Sequence, residues 1–230
     1  MHTAIDRPAR TRSRCGNETT MKTDLLDIRH ADCMDLMREY PDDHFDLAVI
    51  DPQYGINVNV NMGRRQGDKK SNYHKFAGED KEPPNEHYFK ELFRVSKNQI
   101  IWGANHFISK IPHDSSCWIA WDKGFSDQVT FATFELAWTS FQSTCKKFSG
   151  HPNAQDRIHP TQKPVKLYDW ILRNYAKPGD TILDTHLGSG SSAIACHYAG
   201  LHLTACELDA DYYAAACERI ERETAQTTFL

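Results

Sequence analysis

The sequence predicts an α/β sheet fold, and three observations predict it. From Met21 onward, short apolar runs alternate with longer amphipathic ones. Residues 45–51 form a buried-strand pattern that stops at a polar turn, Asp51-Pro52-Gln53-Tyr54. Residues 181–221 read in turn as strand, glycine-containing loop, helix, strand and helix. A chain of 230 residues, 40% hydrophobic and 25% charged, suffices for one domain with its own core. No apolar run approaches the roughly 18 residues of a membrane-spanning helix. The net charge of −4 excludes a basic coat over the whole surface and confines any nucleic-acid contact to one region.

The elements follow in order. Residues 1–20 carry Arg7, Arg10, Arg12 and Arg14 without the apolar stretch of a secretory signal, and are expected to be a disordered extension. A single folded domain is then expected over residues 21–230. Residues 57–84 lose all periodicity and hold Gly63, Gly67, Gly78 and the pair Pro83-Pro84, a loop of the length that in a compact domain is usually functional or disordered. Tyr88, Leu92 and Val95 recur at three- and four-residue spacing, so residues 85–96 form a helix, followed by a strand over 98–102. Strands at 117–121 and 134–139 flank a turn, and a polar connection over 143–158 leads to a second block. That block starts with a helix over 165–175 and a turn at Lys177-Pro178-Gly179-Asp180. Then come a strand at 181–184, a helix at 191–199, a strand at 203–207 and a last helix over 210–221. The seven cysteines are odd in number and widely spaced, with no Cys-x-x-Cys and no Cys/His grouping at zinc spacing. They read as reduced thiols in a cytosolic protein with no metal site.

Two segments carry chemistry. Asp184-Thr-His-Leu-Gly188-Ser-Gly190 lies between a strand and a helix, where glycines let the backbone approach a ligand and helix N–H groups face its anionic part. Glu207 closes the next strand, where a carboxylate accepts hydrogen bonds from ribose hydroxyls. Together they point to a ribose-bearing cofactor and leave dinucleotides and S-adenosylmethionine equally open. The turn Asp51-Pro52-Gln53-Tyr54 combines a carboxylate, a freed backbone carbonyl and an aromatic face at a strand's carboxyl end. That set suits an exocyclic amino group on a planar base. Acceptors holding its N–H bonds favour a lone pair localised for attack, and the ring can stack on the base.

Four segments, in this order, resemble those of β-class amino-methylating DNA methyltransferases. They are Ala31-Asp32-Cys33-Met34, Asp51-Pro52-Gln53-Tyr54, His159-Pro-Thr-Gln-Lys-Pro164 and Asp184-Thr-His-Leu-Gly-Ser-Gly190, followed by Glu207-Leu208-Asp209 and Tyr212. The similarity runs over roughly residues 21–220 and is weaker in the middle third. The resemblance implies a doubly wound, mostly parallel, seven-stranded sheet of the Rossmann-like S-adenosylmethionine-dependent methyltransferase type. It also implies that Asp51 and the Pro52 carbonyl accept the two hydrogens of a target amine, with Tyr54 stacking on the flipped base. Asp184, Gly188 and Gly190 are implied to surround the methionine part of the cofactor, with Thr161 and Lys163 nearby. Glu207 is implied to bind the ribose hydroxyls, and Asp32 with the Cys33 backbone to meet the adenine ring. The implied activity is methyl transfer to the N6 of adenine in double-stranded DNA, in the cytoplasm, with a homodimer as the family allows. Asp rather than Ser at position 51 carries the preference for adenine, as an association within the family, and cytosine N4 is the close alternative.

Three departures from the family pattern stand out. Gln53 replaces the usual second proline, His186 stands where Phe is common, and residues 55–158 leave no room for a separate target-recognition domain. A DNA-contacting insert is therefore expected at about 57–84. There Arg64, Arg65, Lys69, Lys70 and Lys75 face Asp68 alone, and Tyr73, His74 and Phe76 can stack within opened DNA. Trp102, Trp118, Trp121 and Trp138 read as core or rim packing rather than walls of a base pocket. His106, Asp122 and Lys123 are further pocket candidates. Rival readings are methylation of RNA or of a protein side-chain amide, a NAD-dependent dehydrogenase, and a catalytically silent DNA-binding regulator. The dehydrogenase leaves the Asp51–Tyr54 turn and residues 159–164 without a role, and the regulator leaves the intact Asp51 and Tyr54 unexplained.

Overall fold

The computed structural model describes residues 19–57, 82–126, 132–152 and 157–225. Residues 1–18 of the expected extension, and with them its arginines, lie outside the described residues. So do Arg64, Arg65, Lys69, Lys70 and Lys75. In chain order the elements are β1 (Thr20–Lys22), β2 (Leu26–His30), α1 (Cys33–Arg38), β3 (Leu47–Ile50), α2 (Glu86–Val95) and β4 (Gln99–Trp102). Two single-turn 3-10 helices lead to β5 (Trp118–Asp122), β6 (Phe134–Thr139) and β7 (Lys146–Ser149). The chain closes with α3 (Val165–Tyr175), β8 (Thr181–Asp184), α4 (Ser191–Ala199), β9 (His202–Glu207) and α5 (Ala210–Thr224).

The strands form one sheet in the order β1-β2-β9-β8-β3-β4-β6-β5-β7. Among the described residues, five of the eight pairings are parallel, and β1–β2, β4–β6 and β5–β6 are antiparallel. The α/β, mostly parallel architecture is as expected, but the sheet has nine strands where seven were expected. The additions are the edge strands. β1 is three residues long, and β7 falls inside the stretch read as a polar connection. An edge strand pairs on one side only and needs little apolar surface, so Lys146-Lys147-Phe148-Ser149 carries no hydrophobic signature.

Alternation along the central strands sends side chains to two cores. Leu47 and Val49 join Ile100, Ile182 and Leu203 under α3, α4 and α5, whereas Ala48 and Ile50 join Ile101 and Leu183 under α1 and α2. Each fully buried Leu, Ile or Val contributes about 1.5–3 kcal/mol, so Leu47, Val49 and Ile50 of β3 anchor the sheet's centre. Trp102, Trp121 and Trp138 are core residues, fully buried, while Trp118 is half-buried.

This winding places the site. β3 and β8 are parallel neighbours, yet the chain moves outward from β3 through β4 and in the opposite direction from β8 through β9. A crevice opens at such a reversal, beyond the carboxyl ends of the strands. β6 runs the other way from its neighbours β4 and β5, so it delivers its amino end, with Glu135, to that same edge.

Candidate active site

Asp51 leaves β3 at this edge and is gripped on both oxygens. The Tyr54 hydroxyl donates to Oδ1 at 2.7 Å, and Lys163 Nζ lies 2.6 Å from Oδ2. The same ammonium donates to the Tyr54 hydroxyl oxygen at 3.1 Å and lies 3.0 Å from Glu135 Oε2. Lys123 Nζ, just beyond β5, reaches Glu135 Oε1 at 2.5 Å. Two ammonium groups thus face two carboxylates, which is what allows four charged groups to sit together at a largely buried edge. Burial opposes ionisation of Glu135, but Lys163 and Lys123 overcome it and hold the carboxyl at about 2. Burial pushes Asp51 above the usual carboxylate range against the pull of Lys163, and Glu135 adds to the rise. Lys163 stays charged because Asp51 and Glu135 together outweigh its burial.

Gly103 makes the turn possible. Its backbone is left-handed, with φ +68°, and a Cβ there would stand 2.1 Å from the Tyr54 ring, so no other residue fits. The ring also lies against His106, with centroids 5.3 Å apart and planes 18° off parallel.

Across the crevice, Asp184 ends β8 and is fully buried. Its Oδ2 accepts from the Ser192 hydroxyl at 2.5 Å and its Oδ1 from the His186 N–H at 3.0 Å. Burial nevertheless raises this carboxyl to about 7. The loop then turns through Gly188 and Gly190, both with positive φ, and a Cβ at Gly190 would press to 2.9 Å against Ile220. The Gly188 N–H donates to Glu207 Oε2 at 2.9 Å, and the Asp209 N–H donates to Oε1 at 3.0 Å. Each carboxylate oxygen of Glu207 keeps a further lone pair for a diol. Arg219 of α5 locks the loop by donating to the Ser189 carbonyl and the Ser191 hydroxyl, each at 2.9 Å. Asp32 caps α1, accepting from the Met34 N–H at 2.7 Å, and the adjacent Ala31 N–H donates to the Glu207 carbonyl. Asp32, Asp184, Gly188, Gly190 and Glu207 therefore share one end of the sheet. Cys33 is half-buried, and burial followed by Asp32 pushes its thiol up to about 12.

A family model for DNA methylases matches residues 80–218, more than half of the chain. The chain belongs to the DNA methylase family. The protein YubD of Escherichia coli (strain K12), which carries a methylase name, is 23% identical over 216 residues, covering 82% of this chain and 87% of that one. Among solved structures, TTHA0409 of Thermus thermophilus, titled as a DNA modification methylase complexed with S-adenosyl-L-methionine, is 16% identical. It covers 87% of this chain and 96% of that chain with a TM-score of 0.56. PvuII DNA methyltransferase, titled cytosine-N4-specific, is 10% identical, with coverage of 89% and 93% and a TM-score of 0.58. These two likenesses establish the fold.

The segment expected near the cofactor's methionine end meets both sides of the crevice: the Lys163 carbonyl accepts from the Ser191 hydroxyl at 2.8 Å, while its ammonium reaches Asp51, Glu135 and Tyr54. Thr161 is exposed and pairs with His159 Nδ1 at 3.1 Å. His186, in place of the common Phe, keeps a neutral aromatic ring: burial lowers it to about 4, and it packs edge-on to Tyr88 at 5.5 Å. Sequence reasoning missed Glu135, Gly103 and Arg219. A charge inside the apolar strand pattern Phe134-Glu135-Leu136-Ala137-Trp138 was the available signal for the first. No helix of the described residues is long and apolar enough to cross a membrane.

Proposed function

We propose that this DNA methylase transfers a methyl group from S-adenosylmethionine to the N6 amino group of adenine in double-stranded DNA. The observation that carries the reading is the juxtaposition across the β3/β8 reversal. An amine-accepting carboxylate, Asp51, stands on one strand end, and the loop Asp184–Gly190 with Glu207 stands beside it. The donor set fits the cofactor: Glu207 suits a ribose diol, Asp184 suits a cationic group, and Gly188 and Gly190 allow close approach. When bound, S-adenosylmethionine supplies a methyl group on a positively charged sulfur that leaves as a neutral thioether.

The chain's own residues do the rest. The target base leaves the stack, because its amine is out of reach inside the duplex. Asp51 accepts one N–H of that amine and the Pro52 carbonyl the other, which orients the lone pair; as nitrogen gains its methyl group the proton it must lose passes to the Asp51 carboxylate, whose proton affinity burial raises, and from there to solvent. The base stacks on Tyr54 by taking the place of the exposed His106 ring. Alignment of amine and methyl group supplies much of the acceleration. The segment holding Arg64, Arg65, Lys69, Lys70 and Lys75 contacts the DNA backbone, in keeping with the meeting of its described flanks beside the catalytic turn. A Cβ on Gly55 would touch Pro83 Cδ at 2.5 Å.

Adenine is preferred over cytosine on the strength of Asp51, as in the family resemblance. The likeness to the PvuII enzyme, titled cytosine-N4-specific, keeps N4 as the alternative. Incubation with methyl-labelled cofactor and unmethylated DNA, followed by nucleoside analysis, tests this. N6-methyladenine is expected, and label in N4-methylcytosine contradicts the base assignment.

A further inference from the structure

Glu135 lies outside the segments that carry the sequence resemblance, yet it is tied to the turn at Asp51 through a single cation. Four charges run in alternation from the end of β5 to the end of β3: Lys123, Glu135, Lys163 and Asp51. Lys163 Nζ lies within 3.1 Å of three oxygens: it donates to the Tyr54 hydroxyl and pairs by charge with Asp51 Oδ2 at 2.6 Å and Glu135 Oε2 at 3.0 Å. Glu135 Oε2 is buried and, among the described residues, is held by that charge rather than by an aligned hydrogen bond. Buried ion pairs add little stability over apolar replacements, so stability alone does not account for a carboxylate in the middle of this packed edge.

We infer that Glu135 is a positioning residue for methyl transfer. By sharing Lys163 it divides that cation's charge between two carboxylates, and so leaves the Asp51 carboxylate oriented and available to the target amine. The inference rests on the functional reading above. Removal of the Glu135 charge leaves Asp51 as the one carboxylate paired with Lys163, so that cation draws more on Asp51 and weakens it as an acceptor. The groups facing Asp51 are Lys163, Tyr54 and Glu135, together with Tyr168 of α3 and Asp184 of β8; His159 also faces Lys163. None but Glu135 changes in Glu135→Gln. Loss of its negative charge lowers the proton affinity of Asp51 and of Lys163 together.

The test measures methyl transfer to unmethylated DNA as a function of pH for the full chain and three variants. Glu135→Gln is expected to reduce kcat about tenfold or more, to leave the KM for S-adenosylmethionine within about twofold, and to move both limbs of the pH–rate profile about one unit toward acid. Glu135→Asp, which keeps the charge, is expected to recover part of the rate with the limbs near their original positions. Lys123→Met, which removes positive charge from the far end of the chain of ions, is expected to move both limbs the opposite way. It reads the same linkage if Glu135→Gln fails to fold. A purely packing role predicts lower rates with unmoved limbs in all three variants, and that result overturns the inference, as does wild-type behaviour of Glu135→Gln. Absence of transfer to DNA by the wild-type protein overturns the functional reading and this inference with it, whereas transfer indifferent to Glu135 overturns the inference alone.

Discussion

Lys163 Nζ lies 2.6 Å from Asp51 Oδ2, and this contact joins the two halves of the chain. Asp51 ends the strand that begins the outward winding to one side, and Lys163 lies just before the helix that begins the winding to the other. The segment at 159–164 thus meets Asp51 through its lysine side chain and the Ser191 hydroxyl through the Lys163 carbonyl, at 2.8 Å.

The first prediction concerns that lysine. Lys163→Met leaves Asp51 and Glu135 at a buried edge without the cation they share. Removing one partner from a buried ion cluster costs about 3–5 kcal/mol, and a loss of that order is expected in urea unfolding. Lys163→Arg is expected to lose less, since charge is kept while the ammonium's geometry is not.

A second prediction follows from Asp184. Burial, with Asp51 and Glu207 adding to it, raises its carboxyl from 3.8 to about 7, against the pull of Ser192 and the His186 N–H. A folded value above the unfolded one means that the stability this group allows is complete below 3.8 and is lost as pH rises through 7. At alkaline pH the unliganded fold carries a penalty of about 4 kcal/mol, so Asp184→Asn is expected to raise the melting temperature there. Cofactor binding behaves oppositely, because a cationic ligand selects the ionised carboxyl. Affinity for S-adenosylmethionine measured by calorimetry is expected to fall by up to about tenfold for each pH unit below 7 in the wild type, and to be largely lost in Asp184→Asn.

Much of the fold was legible in the sequence, for identifiable reasons. The helix at 165–175 and the strands at 134–139 and 181–184 were read with the observed bounds, because their apolar periodicity is strong. β7 was not legible, since an edge strand needs no apolar stripe. Asp51, Tyr54, Asp184, Gly188 and Glu207 were singled out because each lies at or just beyond a strand end within a recognisable motif, and the structure brings them to the same end of the sheet. Glu135 escaped because its place depends on β6 running opposite to its neighbours, a property of the whole sheet and not of its local pattern. Gly103 escaped for a similar reason, as its requirement comes from Tyr54, which is remote in the chain.

Gly103 supplies a third prediction. Gly103→Ala places a methyl group into the Tyr54 ring on a left-handed backbone. A loss of more than about 1 kcal/mol in stability is expected, with methyl transfer reduced more than cofactor affinity, because Tyr54 moves away from Asp51.

The basic segment supplies a fourth. Reversal of Arg64, Arg65, Lys69 and Lys70 to Glu is expected to weaken DNA binding and flatten its dependence on salt, by about 0.9 in the log–log slope for each phosphate contact removed. Binding isotherms at several salt concentrations check it, and unchanged affinity and slope remove the segment from the DNA interface.

In the proposed reaction Asp51 holds the target amine while the cofactor sits independently beside it. The most direct test of that claim is methyl transfer to unmethylated DNA by Asp51→Asn, paired with calorimetry of S-adenosylmethionine binding to the same protein. A fall of about 10²–10⁴-fold in transfer, with cofactor affinity within about twofold of wild type, is the predicted result. Undiminished transfer by Asp51→Asn would contradict it.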